Sequence, residues 1–592
     1  MRLLVCVLWA AVPAFASDVV HVDLSETVPF EHYWKRSFGS GHATLTLRND
    51  WRRQLKQAIT DLGLQGIRHH GIFDDDMRVV TSPRRYNFSL VEKSWKFQVA
   101  QNVVPIVELS FMPAVLANCT WRSPVDGRVV NPGHDTCQTG MQYKNIALPP
   151  TSFADWYDLV KALVQHAVDA FGLEEVKKWS FECWNELWGM PNFGVYMKLF
   201  NASSRAVKSV DPTLKIGGPA TARLQNLGDF IAQAEKLDVA FDFLSSHMYP
   251  TDPMCPTKAD WGPDCLSTHV KAAKQIATAA GIPFYLTEYN VGCCVGYPQH
   301  DVAGAAAFAF RTIGALDGIT EILSWWTFSD IFEENIAVDD HTEFMNVYGL
   351  MTISGVPKPA WRAFQLLHHH AGYNRVKCTV TESVLPSSLG TAPSQSKCSV
   401  EDKTDLAGFD LEELRAKNVE RCCEACRADS KCVFWTFLDS NSTCRLKTSD
   451  AGRTSRAGAV SGSSIAPPPP SSNRTKIAAL VTSNTVSPTS LVGMSVFLSF
   501  WSLDGTEANR SVSVSIPGAK DSPKYATEYR IDATHANPHA KWISMGSPSK
   551  PSPAQISELI QASQVNPTRV PLPKATSISV EMGPNSAVLL VF

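Results

Sequence analysis

Between about residues 32 and 372 the chain alternates short apolar runs with longer stretches whose apolar positions recur every three to four residues. Continuous short runs rich in β-branched and aromatic residues predict strands buried on both faces. The longer period predicts amphipathic helices. Strand candidates are 32–40, 66–71, 104–110, 178–186, 214–220, 241–249, 283–290 and 321–328. Helical patterns fall between them, among them 49–62, 153–171, 193–210, 268–280, 302–316 and 359–370. Eight alternating units predict an α/β fold, a closed (β/α)8 TIM barrel, assigned to residues 17–372.

The pattern then changes. Residues 398–446 hold Cys398, Cys422, Cys423, Cys426, Cys432 and Cys444, with no histidine among the cysteines. That density predicts a disulfide-stapled module rather than a metal site. Residues 447–473 are rich in Ser, Gly and Pro and read as a linker. Residues 373–397 and 474–592 are assigned to a β-sandwich that the module interrupts, with strand patterns such as MSVFLSFWS, SVSVSI and AVLLVF.

Composition sets limits. The 592 residues are 44% apolar and 19% charged with a net charge of −3, a globular balance for more than one domain. No basic block suggests nucleic acid. Residues 1–16 read as a signal peptide: Arg2, an apolar run over 3–12, then Ala14-Phe15-Ala16. No segment has the roughly 20 apolar residues of a membrane helix, so a secreted protein with no membrane partner is expected. Without Cys6 an even number of cysteines remains, which suits an oxidising compartment. Sequons at Asn87, Asn118, Asn201, Asn441, Asn473 and Asn509 agree. Cys119 with Cys137, and Cys255 with Cys265, are expected local bridges. Adjacent Cys293 and Cys294 are expected to take separate partners, and Cys183 to be a buried free thiol.

In such barrels the site lies at the C-terminal ends of the strands. Arg68 and His70 close strand two, Glu108 strand three, Asn185 and Glu186 strand four. His247 and Tyr249 close strand six, Glu288 strand seven and Trp326 strand eight. Glycoside hydrolysis needs two carboxyls across the scissile bond, and about 5–5.5 Å between them means retention. Glu186 and Glu288 are the candidates. Arg68 could keep Glu288 ionised, Tyr249 could donate to it, and Asn185 could bind a sugar hydroxyl. This chemistry needs no cofactor or metal. The run Asp74-Asp75-Asp76 lacks the spacing of a calcium loop and reads as a solvated or sugar-facing loop.

WNE at 184–186 and TEYN at 287–290 resemble the two catalytic strands of clan A glycosidases. RHHGIFDDDM (68–77), VPIVELSFMP (104–113), SHMYPTD (246–252), WWTFSDIFEE (325–334) and YRIDATHANPHAKWISMGSP (529–548) resemble glycoside hydrolase family 39. That family holds β-xylosidases and α-L-iduronidases. The resemblance implies Glu186 as acid/base and Glu288 as nucleophile, with His70, Asn185, His247, Tyr249, Trp326 and Glu333 lining the sugar pocket. One departure is Leu187, where the family usually has proline after the acid/base. DLAGFDL (405–411) with CCEAC and CRLK resembles a PAN/Apple domain, which implies contact with a glycan or glycoprotein.

Residues 327–357 contain Glu333, Glu334, Asp339, Asp340 and Glu343 but no Arg or Lys. That lining favours a neutral sugar over a uronate, which would need a cation. The expected substrate is an oligosaccharide or glycoside, xylose first. An iduronidase and an inactive carbohydrate-binding protein are the alternatives.

Overall fold

The computed structural model describes residues 17–592 apart from 118, 123–128, 131–134, 138–144, 333–341, 383–400, 407–409, 429–433, 439, 441, 448–452, 464–475, 487–489, 520, 522 and 573–576. The leader at 1–16, Asn118, Asn441 and Asn473, Cys398 and Cys432, and Glu333 with Glu334, Asp339 and Asp340 therefore lie outside the described residues. Asn87 and Asn509 are exposed and Asn201 is half-buried.

Eight parallel strands close into a barrel. In chain order they are Phe38–His42, Gly66–His70, Val104–Leu109, Ser180–Cys183, Lys215–Thr221, Phe243–His247, Phe284–Tyr289 and Ile322–Trp325, called strands one to eight below. Helices Asn49–Leu62, Phe153–Phe171, Phe193–Val210 and Pro359–His370 fall where the periodicity puts them. Strand one differs from its expected range of 32–40. Tyr33–Lys35 form a short 3-10 turn with all three side chains buried, and the strand begins only at Phe38. Strand four also stops short of its expected end: Trp184, Glu186 and Leu187 all have positive φ.

The sandwich is one continuous nine-stranded sheet. Its order is 568–571, 525–531, 586–591, 494–500, 477–483, 374–381, 17–29, 510–515 and 577–582. Val512 and Val580 near one edge share an apolar cluster with Ala526 near the other, so the sheet folds over one core. Ser17–Pro29 was assigned to the barrel and belongs here instead. It pairs antiparallel with 374–381 and parallel with 510–515. Its alternating Val20, Val22 pattern is a strand signal, but its antiparallel partners lie at Asn374–Thr381, on the far side of the barrel sequence. The barrel helix Gly304–Leu316 packs on this sheet through Phe310 against Phe497, ring centroids 5.1 Å apart.

The disulfide module carries a five-stranded sheet in the order 401–406, 453–463, 434–438, 443–447, 410–415, with helix Val419–Ala428. Arg453–Ser463, assigned to the linker, is a strand paired with two of the others. Cys422 bonds Cys444, and Cys423 and Cys426 are also disulfide-bonded. Cys422, Cys423, Cys426, Trp435, Phe437 and Leu446 form the module's own core. Elsewhere Cys119 bonds Cys137, Cys255 and Cys265 are both oxidised, and Cys183 is a buried free thiol. Cys293 and Cys294 bond each other, contrary to the expectation of separate partners.

Strand 374–381 and strand 477–483 are antiparallel neighbours, and Ile477 N donates to Glu382 at 2.7 Å. The module is thus spliced into what is topologically a hairpin. Replacing 384–474 by a short hairpin turn is expected to leave barrel and sandwich folded, with the main thermal transition moved by only a few degrees. Calorimetry checks this, and loss of the transition would contradict it.

Candidate active site

Inside the barrel, alternate residues of a strand point inward. Arg68 and His70 of strand two, Glu108 of strand three and Glu182 of strand four meet there, all fully buried. Arg68 engages all three of its guanidinium nitrogens. Nε donates to Glu182 at 2.6 Å, Nη1 to Glu288 at 2.7 Å and Nη2 to Asn185 at 2.9 Å, and Nη2 is also ion-paired with Glu108 at 2.7 Å. Burial works against the Arg68 charge, but the carboxylates of Glu182, Glu108 and Glu288 outweigh it and raise its pKa. Burial also opposes charge on His70, yet Glu108, 2.8 Å from Nδ1, helps bring it up to about 9. Two cations are therefore held among three carboxylates.

Glu288, at the end of strand seven, is the carboxylate of this cluster that reaches the cleft. Beyond Arg68 it accepts from Tyr249 Oη at 3.0 Å, and His70 Nε2 stands 4.0 Å away. Burial keeps the Tyr249 phenol protonated. Glu186 is different. Burial pushes its carboxyl up to about 7, with His70, Arg68 and Arg223 only partly offsetting this. Its Oε1 lies 2.8 Å from His247 Nδ1, and burial takes His247 down to about 4, so that imidazole is neutral at neutral pH. Glu186, protonated below about 7, can give a proton, while Glu288 is held by donors and can act as a nucleophile.

Glu186 reaches this position by leaving the strand. Trp184, Glu186 and Leu187 have φ of 67°, 50° and 57°, unusual for residues other than glycine. Glu186 N donates to Ala220 O of strand five at 2.8 Å, and Trp184 Nε1 donates to Trp188 O at 3.0 Å. The Leu187 departure now has a physical sense. Proline fixes φ near −65° and cannot follow this path.

Trp326 forms one wall, its ring 4.6 Å from that of His70. Gly39 of strand one lies against the Trp326 ring, where a Cβ would collide. Phe111 and Trp188 stack nearby at 9° between planes. Tyr249, Trp326, Phe332, Val347 and Tyr348 cluster together with Cys293 of the adjacent disulfide. Such aromatic walls with a few fixed polar groups are typical of sugar-sized pockets. Asn185 Nδ2 and His247 Nε2 are buried without hydrogen-bond partners among the described residues, leaving donor or acceptor positions open to a ligand.

Every expected site residue except Glu333, outside the described residues, belongs to this cluster or its walls. Glu182 was missed; a carboxylate inside the apolar run of strand four was its signal. Lys358 was also missed, one residue beyond the segment noted as lacking cations. It is fully buried and spent on Asp301 (2.6 Å), Asp330 (2.7 Å) and Val347 O (2.9 Å), which fixes the segment bearing Tyr348. Asp74, read as part of a solvated or sugar-facing loop, is buried 2.7 Å from His42 Nε2. One oxygen each of Glu186 and Glu288 and a nitrogen of His247 lie within 4.8 Å of one another, a grouping a divalent ion could use. Arg68 and Tyr249 already occupy both oxygens of Glu288, which fits organic chemistry better than coordination.

Two carboxyls with opposed environments at the mouth of a (β/α)8 barrel define a glycoside hydrolase. Residues 19–378 match the model of glycosyl hydrolases family 39, and residues 404–447 match that of the PAN domain. The chain belongs to glycosyl hydrolase family 39 and carries a PAN domain within its sequence. A beta-xylosidase of Caldicellulosiruptor saccharolyticus is 36% identical over 358 residues, 57% of this chain and 68% of that protein. One from Geobacillus stearothermophilus is 30% identical over 373 residues, covering 58% and 70%. The fold resembles a solved monomeric beta-xylosidase from Caulobacter crescentus, at 21% identity and a TM-score of 0.67 over 97% and 98% of the two chains.

Two outcomes are expected here. Arg68→Met strands three buried carboxylates and should cost about 3–5 kcal/mol of stability, read by denaturant unfolding. Leu187→Pro, which cannot hold φ at +57°, should lower kcat/KM at least about tenfold, roughly 1.4 kcal/mol, while Leu187→Gly is tolerated. Full activity in Leu187→Pro would show that the left-handed path is dispensable.

Proposed function

We propose that the protein is an exported, retaining exo-β-xylosidase with Glu186 as general acid/base and Glu288 as nucleophile. The observation that carries this is the closeness of the two carboxyls, with oxygens within 4.8 Å, in opposed environments. That separation suits direct attack and is short for an interposed water. Glu288 attacks the anomeric carbon as Glu186 passes its proton to the departing oxygen. The glycosyl–Glu288 ester is then hydrolysed by a water whose proton Glu186 takes back. Arg68 and Tyr249 orient Glu288, and the neutral His247 holds Glu186 in place.

Xylose as the sugar is supported by the relatives named above and by Arg68, which is fully buried and already faces the carboxylates of Glu108, Glu182 and Glu288. Export is supported by the leader pattern and the Cys119–Cys137 and Cys422–Cys444 disulfides. No helix among the described residues is long and apolar enough to cross a membrane. The PAN domain is proposed to contact a glycan or glycoprotein.

Hydrolysis of 4-nitrophenyl β-D-xyloside, with Glu288→Gln at least about 10³-fold slower, is the expected result. Turnover of an α-L-iduronide alone would overturn the choice of sugar. Binding of xylose oligomers without turnover of any glycoside would favour the inactive binding protein. The pH profile has a defined sign. Glu186 must be protonated to act as acid, so kcat/KM should fall as pH rises through about 7, and Glu186→Gln should lose that alkaline limb.

A further inference from the structure

Strand five ends in a turn in which Arg223, Leu224 and Asn226 have φ of 61°, 56° and 56°. Each left-handed non-glycine residue costs on the order of 1–2 kcal/mol, so a run of them persists only where the surroundings fix it. The turn lies between the ends of strands four and six, which carry Glu186 and His247. What it holds up is the Arg223 guanidinium. The side chain is 40% exposed, yet its Nε is buried and has no hydrogen-bond partner among the described residues. The Asp252 carboxylate is 3.8 Å away, beyond hydrogen-bond reach, and its Oδ2 is already used by Tyr249 N at 2.8 Å. Burial brings Asp252 up to about 7, so near neutrality it offsets Arg223 only in part.

Position assigns this charge to one side of the cleft. Arg68 and His70, from strand two, face Glu288 directly, whereas Arg223 stands three residues beyond Ala220, whose carbonyl receives Glu186 N at 2.8 Å, and lies against Asp252. A general acid faces the leaving group, because it must protonate the departing oxygen. A cation beside Glu186 and apart from the nucleophile's cations therefore borders the leaving-group subsite. An unengaged guanidinium edge there matches a carboxylate in charge and geometry.

We propose that Arg223 binds the leaving group and selects those bearing a carboxylate, the chemistry of a uronic acid joined to the cleaved sugar. The inference rests on Glu186 being the acid. It leaves intact the argument for a neutral sugar on the other side of the bond. Neutral sugar and acidic leaving group together define the preferred substrate class.

The test compares 3-carboxyphenyl with 3-carbamoylphenyl β-D-xyloside, which differ in charge at nearly the same size. The ratio of their kcat/KM values should favour the carboxylate in the wild type. It should fall about tenfold in Arg223→Gln, chiefly through KM, and recover in part in Arg223→Lys. An unchanged ratio in Arg223→Gln overturns the proposal. Saturation-transfer NMR with glucuronate and glucose supplies a readout that needs no turnover. Glucuronate should bind the wild type and lose its signal in Arg223→Gln, and equal binding to both proteins also overturns the proposal. If neither xyloside is hydrolysed, the choice of xylose has failed, and the glucuronate measurement decides the role of Arg223 alone.

Discussion

The site depends on one buried cation. Arg68 stands at the centre of the barrel and joins four strands through Glu108, Glu182, Asn185 and Glu288. A buried guanidinium is expensive to desolvate and is retained only where its donors are satisfied. Here the four partners meet that condition, and in doing so they fix the side chains at the barrel mouth. Lysine could not replace it, because a point charge cannot serve partners on several sides of a plane.

Around this centre the two reactive carboxyls are separated by environment rather than by residue type. Glu288 sits on the cationic side, bonded by Arg68 and Tyr249 and faced by His70. Glu186 is carried off its strand by the left-handed path from Trp184 to Leu187 into a setting where burial dominates. Its contact with His247 supplies position without charge, since that imidazole is neutral. Backbone left-handedness at this one place thus shapes the electrostatics of the site.

Much of this could be read from the sequence, for reasons that also explain the failures. Barrel strands announce themselves as continuous apolar runs, and charged residues at their ends stand out against them. Arg68, Glu108, Glu186 and Glu288 were visible on that ground. Glu182 lies within a strand, where a charge among apolar neighbours resembles noise until its partner is known. Lys358 was hidden because its acids, Asp301 and Asp330, are distant in sequence. Ser17–Pro29 has a strand's alternation, but only pairing across the whole chain moves it from the barrel to the sandwich. Positive φ at Glu186 and Leu187 was legible only as the missing proline. The Cys293–Cys294 bond ran against the expectation of separate partners, because disulfides usually span Cα atoms farther apart than the 3.2 Å found here.

In the proposed mechanism Glu288 attacks the sugar while Glu186 moves the proton. Mass spectrometry after incubation with 2,4-dinitrophenyl 2-deoxy-2-fluoro-β-D-xyloside tests it most directly, since the fluorine slows release of the covalent intermediate. One fluoroxylosyl group is expected on the peptide that contains Glu288. A label on Glu186, or turnover that yields the opposite anomer with no covalent species, would contradict it.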